Sequence, residues 1–204
     1  SPVTTSAPPT SLPATWHSLF DDAAIFPPGD AAFPDAVQAF TNRQGEWYAD
    51  LVGSFVVRDI DLGHAPAGVP LAVVLTTGAG AVEGVVHKAA RNGLTLAGLE
   101  VALRDFDDLV GNVRRVDAAV RACDVEVPVH VEIPGPVTAS WLAAADEVAA
   151  GGQHLKLRLG HVDHDLIPTA STIVAWIDAA LERETSFKAT AGLHRAVRHE
   201  PSEG

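Results

Sequence analysis

Two lysines sit inside short apolar stretches of this 204-residue sequence, Lys156 in HLKLRLG (154–160) and Lys188 in SFKATAG (186–192). An amine in a strand-like run is unusual, because burial penalises its charged form. Lysine is also scarce: Lys88, Lys156 and Lys188 stand against eleven arginines. Where a generic cation suffices the chain uses arginine, so these two positions point to a need for the amine itself. Arginine stays protonated, with a pKa above about 12. A lysine tuned by burial and by a neighbouring cation becomes a nucleophile toward carbonyl carbon. Lys156 has Arg158 on its own face and Lys188 on the next strand, and both are expected to favour its neutral form.

Side chains two apart in a strand share a face. In HLKLRLG this groups Leu155, Leu157 and Leu159 on one side, with His154, Lys156 and Arg158 on the other. VPVHVEIP (127–134) separates Val129, Val131 and Ile133 from His130 and Glu132. LAGLEVAL (96–103) separates Leu99, Val101 and Leu103 from Gly98, Glu100 and Ala102, and in FKATAG Lys188 shares its face with Thr190. Four strands thus bring two carboxylates, two lysines, an arginine and two histidines to one interior. A self-neutralising polar layer would also satisfy these charges. Buried ion pairs are poor sources of stability, however, which favours a ligand or catalytic site.

The elements that must position these residues alternate. Strands are expected around WHSLFDDAAIF, LVGSFVVRDI, PLAVVLTT, LTLAGLEVAL, VPVHVEIP, HLKLRLG and SFKATAG. Helices are expected at AAFPDAVQAFTNRQGEW, at 79–92, along a stripe of Leu109, Val113, Val116 and Val120, at 138–150, and along Ile173, Trp176, Ile177, Ala180 and Leu181. Strict β/α alternation implies a parallel sheet, and the natural reading is a (β/α)8 TIM barrel. Such barrels run to about 250 residues with eight strands, so this one is read as incomplete or truncated after the seventh strand. Residues 1–15 form a Pro/Ser/Thr/Ala tail expected to be disordered, 16–194 a single barrel-like domain, and 195–204 a polar end. The unpaired edges of the first and seventh strands invite pairing with another chain, as in a homo-oligomer.

Composition narrows the function further. Hydrophobic residues make up 47% and charged residues 20%, as in a folded globular protein. A net charge of −12 without any Lys/Arg run argues against a nucleic-acid partner. No apolar run reaches the roughly 18 residues of a membrane span and no signal peptide is visible, so the expectation is a soluble, cytoplasmic protein without a membrane partner. The single Cys123 excludes an internal disulfide and is expected in the core. Trp16, Trp47, Trp141 and Trp176 are read as packing between helices and barrel.

The order of these motifs resembles the class I deoxyribose-phosphate aldolases. SLFDDAAIFPPGDAAFPDAV resembles that family's opening strand and turn, and PLAVVLTTGAG its third strand with the Gly-bearing loop. GLEVAL is similar to its acidic fourth strand, VHVEI to its fifth, LKLRLG to its Lys-Thr-Ser-Thr-Gly strand, and FKATAGLHR to its Val-Lys-Ala-Xaa-Gly-Gly-Ile-Arg strand. The resemblance implies Lys156 as the Schiff-base lysine, Lys188 as the second lysine that lowers its pKa, and Glu100 as the acidic proton-relay residue. This sequence departs from the family at Leu157, Arg158 and Leu159, which replace Thr-Ser-Thr, and at Ala191-Gly192, which replaces Gly-Gly.

The expected function is therefore an aldolase-type lyase acting on a small carbonyl or anionic metabolite, with Glu100, Glu132 and His130 moving protons. Arg158 is expected to bind a carboxylate or phosphate, with Thr190, His154 and His194 around the substrate. Neither a cofactor nor a metal is required. One rival is a barrel that binds an anionic metabolite without chemistry. The other is a metal-assisted hydrolase using His161, Asp163, His164 and Asp165 with His130 and Glu132, although no recognised ligand spacing is present. His194, Arg195, Arg198 and His199 form a basic knot that could meet an anionic group. Asp21 and Asp22 lie at the mouth or cap a turn.

Overall fold

The computed structural model describes residues 12–161, 163 and 166–192. They form an α/β fold of seven parallel strands and five α-helices. Two compact units are distinguished: residues up to Thr76 with Gly84–Leu99, and Thr77–Glu83 with the residues from Glu100 onward.

In the first unit the strands follow chain order: β1 (Phe20–Asp22), β2 (Val52–Arg58), β3 (Pro70–Leu75) and the start of β4 (Thr95–Ala102). β1 pairs parallel with β2, and β2 with β3, where Phe55 lies opposite Leu71 and Val57 opposite Val73. These four side chains share one face, which alternation predicts. Helix α1 (Phe33–Arg43) carries Pro in its first turn, where the missing N–H costs nothing. It packs Phe33 and Phe40 on the buried Phe55, with ring centroids 5.9 and 5.7 Å away. Arg43 in its last turn reaches Asp22 at 2.6 Å, and Asp22 also accepts from the Ala24 amide. Asp21 accepts from the backbone and hydroxyl of Ser54, which ties β1 to β2. Both aspartates therefore brace the first strand.

Alternation is not strict. Between β2 and β3 the chain forms only a 3₁₀ segment, Asp59–Gly63, in place of an α-helix. Its carboxylates hold the turn: Asp61 pairs with Arg58, and Asp59 accepts from the Ile60 and Thr76 amides and the Thr76 hydroxyl. Pro66 and Gly68 follow at once and leave no room for a longer helix. Helix α2 (Val82–Asn92) then leads to β4.

The second unit continues from β4 through α3 (Leu109–Ala122), β5 (Val129–Glu132), α4 (Ala139–Ala150), β6 (His154–Arg158), α5 (Ala170–Glu182) and β7 (Phe187–Thr190), its strands again in chain order. β5/β6 and β6/β7 are parallel. Each of these helices opens on a side-chain cap: Asp108 accepts from Gly111, Thr138 from Trp141 and Thr169 from Thr172. Leu155 and Leu157 of β6 are buried on the helix side, with Trp141, Ala144, Ala145 and Val148 of α4 and Trp176, Ala179 and Ala180 of α5 among the core.

Several expectations about packing are corrected. Leu181 is 64% exposed and Ala179 takes the buried position. At 3.6 residues per turn Leu181 lies about 140° from Trp176, well off the buried stripe. Cys123 is the C-cap of α3 and only half-buried, because the helix ends before its side chain turns inward. Trp141 and Trp176 are buried, whereas Trp16 and Trp47 lie in short turns outside any α-helix and are about half exposed, at 51% and 48%. The buried indoles have a second task. Trp141 Nε1 donates to the Ile133 carbonyl at 3.0 Å and Trp176 Nε1 to that of Gly135 at 3.1 Å, both just after β5. No eighth strand and no α-helix beyond α5 occur among the described residues. No helix among them is long and apolar enough to cross a membrane.

Candidate functional site

Glu100, Glu132, Lys156 and Lys188 converge within the second unit. Leu99 and Val101 on one face of β4 are buried, and this turns Glu100 to the other. On β6 the buried leucines turn Lys156 the same way, and the β6/β7 register places Lys188 directly opposite Lys156. The resulting order is amine, carboxylate, amine, carboxylate. Glu100 Oε1 accepts a hydrogen bond from Lys188, and its Oε2 lies 3.0 Å from Lys156 Nζ. Lys156 Nζ in turn lies 3.5 Å from Glu132 Oε2. The side chains are 3% (Glu100), 11% (Lys156), 13% (Glu132) and 17% (Lys188) exposed, so the row is sheltered but reachable.

Electrostatics follow from that order. Burial pushes the Glu100 carboxyl up, but the charges of Lys156 and Lys188 and the hydrogen bonds from both outweigh it, and the group lies below its ordinary value. Glu100 is therefore a held carboxylate. The cationic neighbours expected to act on Lys156 are arranged differently: Glu100 stands between it and Lys188, and Arg158 turns its Nε to the Gly160 carbonyl at 3.2 Å. Sequence alternation gives the shared face but not which charge lies between which.

The remaining residues fall on rungs either side of this row. His130 pairs with His154 one rung toward the strand starts, with ring centroids 5.2 Å apart at 41°. Arg158 pairs with Thr190 one rung toward the strand ends, two residues or roughly 6.6 Å along the strand. Arg158 meets no carboxylate among the described residues, and the Thr190 hydroxyl makes no hydrogen bond among them. A close approach that sequence reasoning missed sets this end: a Cβ on Gly160 would lie 2.7 Å from Gly192 N and 2.9 Å from Gly192 Cα. Gly192 itself has φ +71°, a conformation that favours glycine. The signal available in sequence was a glycine two positions after each strand.

His194, Arg195, Arg198 and His199 lie outside the described residues, as do His164 and Asp165. His161 Nδ1 accepts from the Asp163 amide at 2.9 Å in a local turn. Among the described residues no group of three or more His, Cys, Asp or Glu is placed to hold a metal.

No family model matches this sequence, and no curated protein matches it. Among solved structures, a domain of pyruvate-formate lyase-activating enzyme from Bacteroides vulgatus ATCC 8482 is similar over 60% of this chain and 82% of that domain, with 16% identity and a TM-score of 0.43.

Proposed function

We propose that the second unit carries an aldolase-type centre on a barrel-related fold, resembling the class I deoxyribose-phosphate aldolases, in which Lys156 forms a Schiff base with a small carbonyl compound. The observation that carries this reading is the row Lys188, Glu100, Lys156, Glu132 on a sheltered but accessible face. Lys156 passes a proton to Glu132, and its free amine attacks the carbonyl carbon. The carbonyl oxygen takes one proton from the attacking amine and a second back from Glu132 and leaves as water, which gives the iminium. That cation draws the electron pair released when the neighbouring carbon–carbon bond breaks, or supplies the enamine for bond formation in reverse. Glu132 moves the protons, because it makes one long ion pair at 3.5 Å. Glu100, held ionised by two amines, keeps Lys156 and Lys188 in place and offsets the iminium charge.

Borohydride trapping with a panel of aldehydes and ketones tests the proposal. The expected result is a mass increase mapping to Lys156 and absent from Lys156→Arg. An unmodified protein across the whole panel sinks it. A second reading has one observation in its favour: the row is internally neutral, two ammoniums against two carboxylates, as in a structural layer beside a non-catalytic binding face. The same trapping separates the two, since only the first yields a covalent adduct.

A further inference from the structure

We propose that the substrate seated on this face is a short oxo acid carrying a single carboxylate, which is bound by Arg158 and Thr190 while its carbonyl meets Lys156. This rests on the Schiff-base reading for the carbonyl and on separate observations for the carboxylate.

The first observation is charge. Lys156, Lys188, Glu100 and Glu132 cancel within their own row. Arg158, on the same face one rung further along, has no carboxylate partner among the described residues. Among the described residues this face therefore shows one more positive than negative charge, and a ligand with one negative charge matches it. A phosphate dianion would leave an excess negative charge in a protein already at −12.

Geometry is the second. Of the five N–H donors of a guanidinium, Arg158 commits Nε to the Gly160 carbonyl, which leaves the two Nη groups side by side for the two oxygens of a carboxylate. The Thr190 hydroxyl on the adjacent strand is a third donor at the same register. Gly160, whose carbonyl takes the Arg158 Nε, lies against Gly192, and a Cβ on Gly160 would come within 2.7 Å of the Gly192 nitrogen. Arg158 is exposed at the end of β6, so its two Nη groups are open to a ligand while the bond from Nε to Gly160 limits the side chain's freedom. Third is spacing. One rung, roughly 6.6 Å along the strand, separates the Cα positions of Lys156 and Arg158, so the carbonyl and the carboxylate belong to one small molecule.

Amide-shift titrations of the 15N-labelled protein with butanoate and with ethyl phosphate test the seat without any imine, and the same spectra report the fold of each variant. Butanoate is expected to bind at the Arg158 and Thr190 amides, to weaken by about tenfold or more in Arg158→Gln, and to weaken less in Arg158→Lys. Ethyl phosphate is expected to bind no more tightly than butanoate. Butanoate binding that is absent or indifferent to Arg158→Gln overturns the proposal, as does tighter binding of ethyl phosphate. Borohydride trapping completes the test: 2-oxobutanoate should label Lys156 about tenfold less in Arg158→Gln, whereas labelling by butanone should stay within about twofold. Equal losses for both ketones overturn the oxo-acid assignment. Failure of every carbonyl compound to label Lys156, with butanoate still held by Arg158, overturns the Schiff-base reading and leaves the carboxylate seat supported.

Discussion

Replacing Glu100 with glutamine keeps the outline of the side chain and removes the charge between Lys156 and Lys188. At 3.0 Å from Lys156 Nζ, and with an effective dielectric near 20, that one contact carries roughly 5.5 kcal/mol of Coulomb attraction. Desolvation of the three groups offsets most of this in the native protein, so the intact cluster is a weak stabiliser. The substitution is asymmetric, because both amines stay sheltered while their shared counter-charge is lost. Breaking a buried pair in this way costs about 3–5 kcal/mol, and the residual exposure of the lysines, 11% and 17%, places the expectation at the lower end. With a urea slope of about 2 kcal/mol per molar, the unfolding midpoint at pH 7 should fall by roughly 1.5–2 M. Fluorescence of the buried Trp141 and Trp176 follows the transition. Lys188→Met in the Glu100→Gln background should restore part of the loss, since it removes one of the two ammoniums that Glu100 bridges, while Lys156 keeps its contact with Glu132. The pH dependence has a definite sign. Glu100 lies below its ordinary 4.5 in the folded chain, so its contribution is present above that value and is lost as pH falls through the lower folded value. The gap between native protein and Glu100→Gln should therefore close only below about pH 4.5. A loss under about 1 kcal/mol at pH 7, or strict additivity of the two substitutions, would refute the reasoning.

Two further outcomes follow from local geometry. Gly160→Ala places a Cβ 2.7 Å from the Gly192 nitrogen, a backbone atom that cannot rotate away; a loss of about 1–3 kcal/mol in urea unfolding is expected, together with weaker carboxylate binding as Arg158 loses its anchor. Asp108→Ala removes the cap on the Gly111 amide at 2.8 Å and the exposed contact with Arg115, and should cost about 1 kcal/mol, almost all of it from the cap and hence little changed by salt.

Period-two alternation was sufficient to assign faces. In β6 it separated Leu155 and Leu157 from Lys156 and Arg158, and the structure buries those leucines. It worked because burial on one side of a strand constrains every second residue locally. The sequence did not reveal that Glu100 stands between the two lysines, because that depends on how a strand far away in the chain is placed against β6 and β7. The 3₁₀ link at Asp59–Gly63 was missed for a related reason: its carboxylate partners include Thr76, seventeen residues later. Leu181 and Cys123 failed at helix ends, where a stripe read by spacing runs past the last turn that still faces the sheet. The tryptophan count could not distinguish Trp141 and Trp176, whose indoles find carbonyls, from Trp16 and Trp47, which stay half exposed.

The two indole bonds also bear on how the second unit opens. Trp141 belongs to α4 and Trp176 to α5, yet both end on the segment directly after β5, at Ile133 and Gly135. That segment cannot leave its place without breaking a bond to each helix, and neither helix can detach without releasing it. The three pieces share one cooperative opening event, so slow-exchanging amides of α4 and α5 should lose protection together, at a common free energy, instead of fraying one after the other.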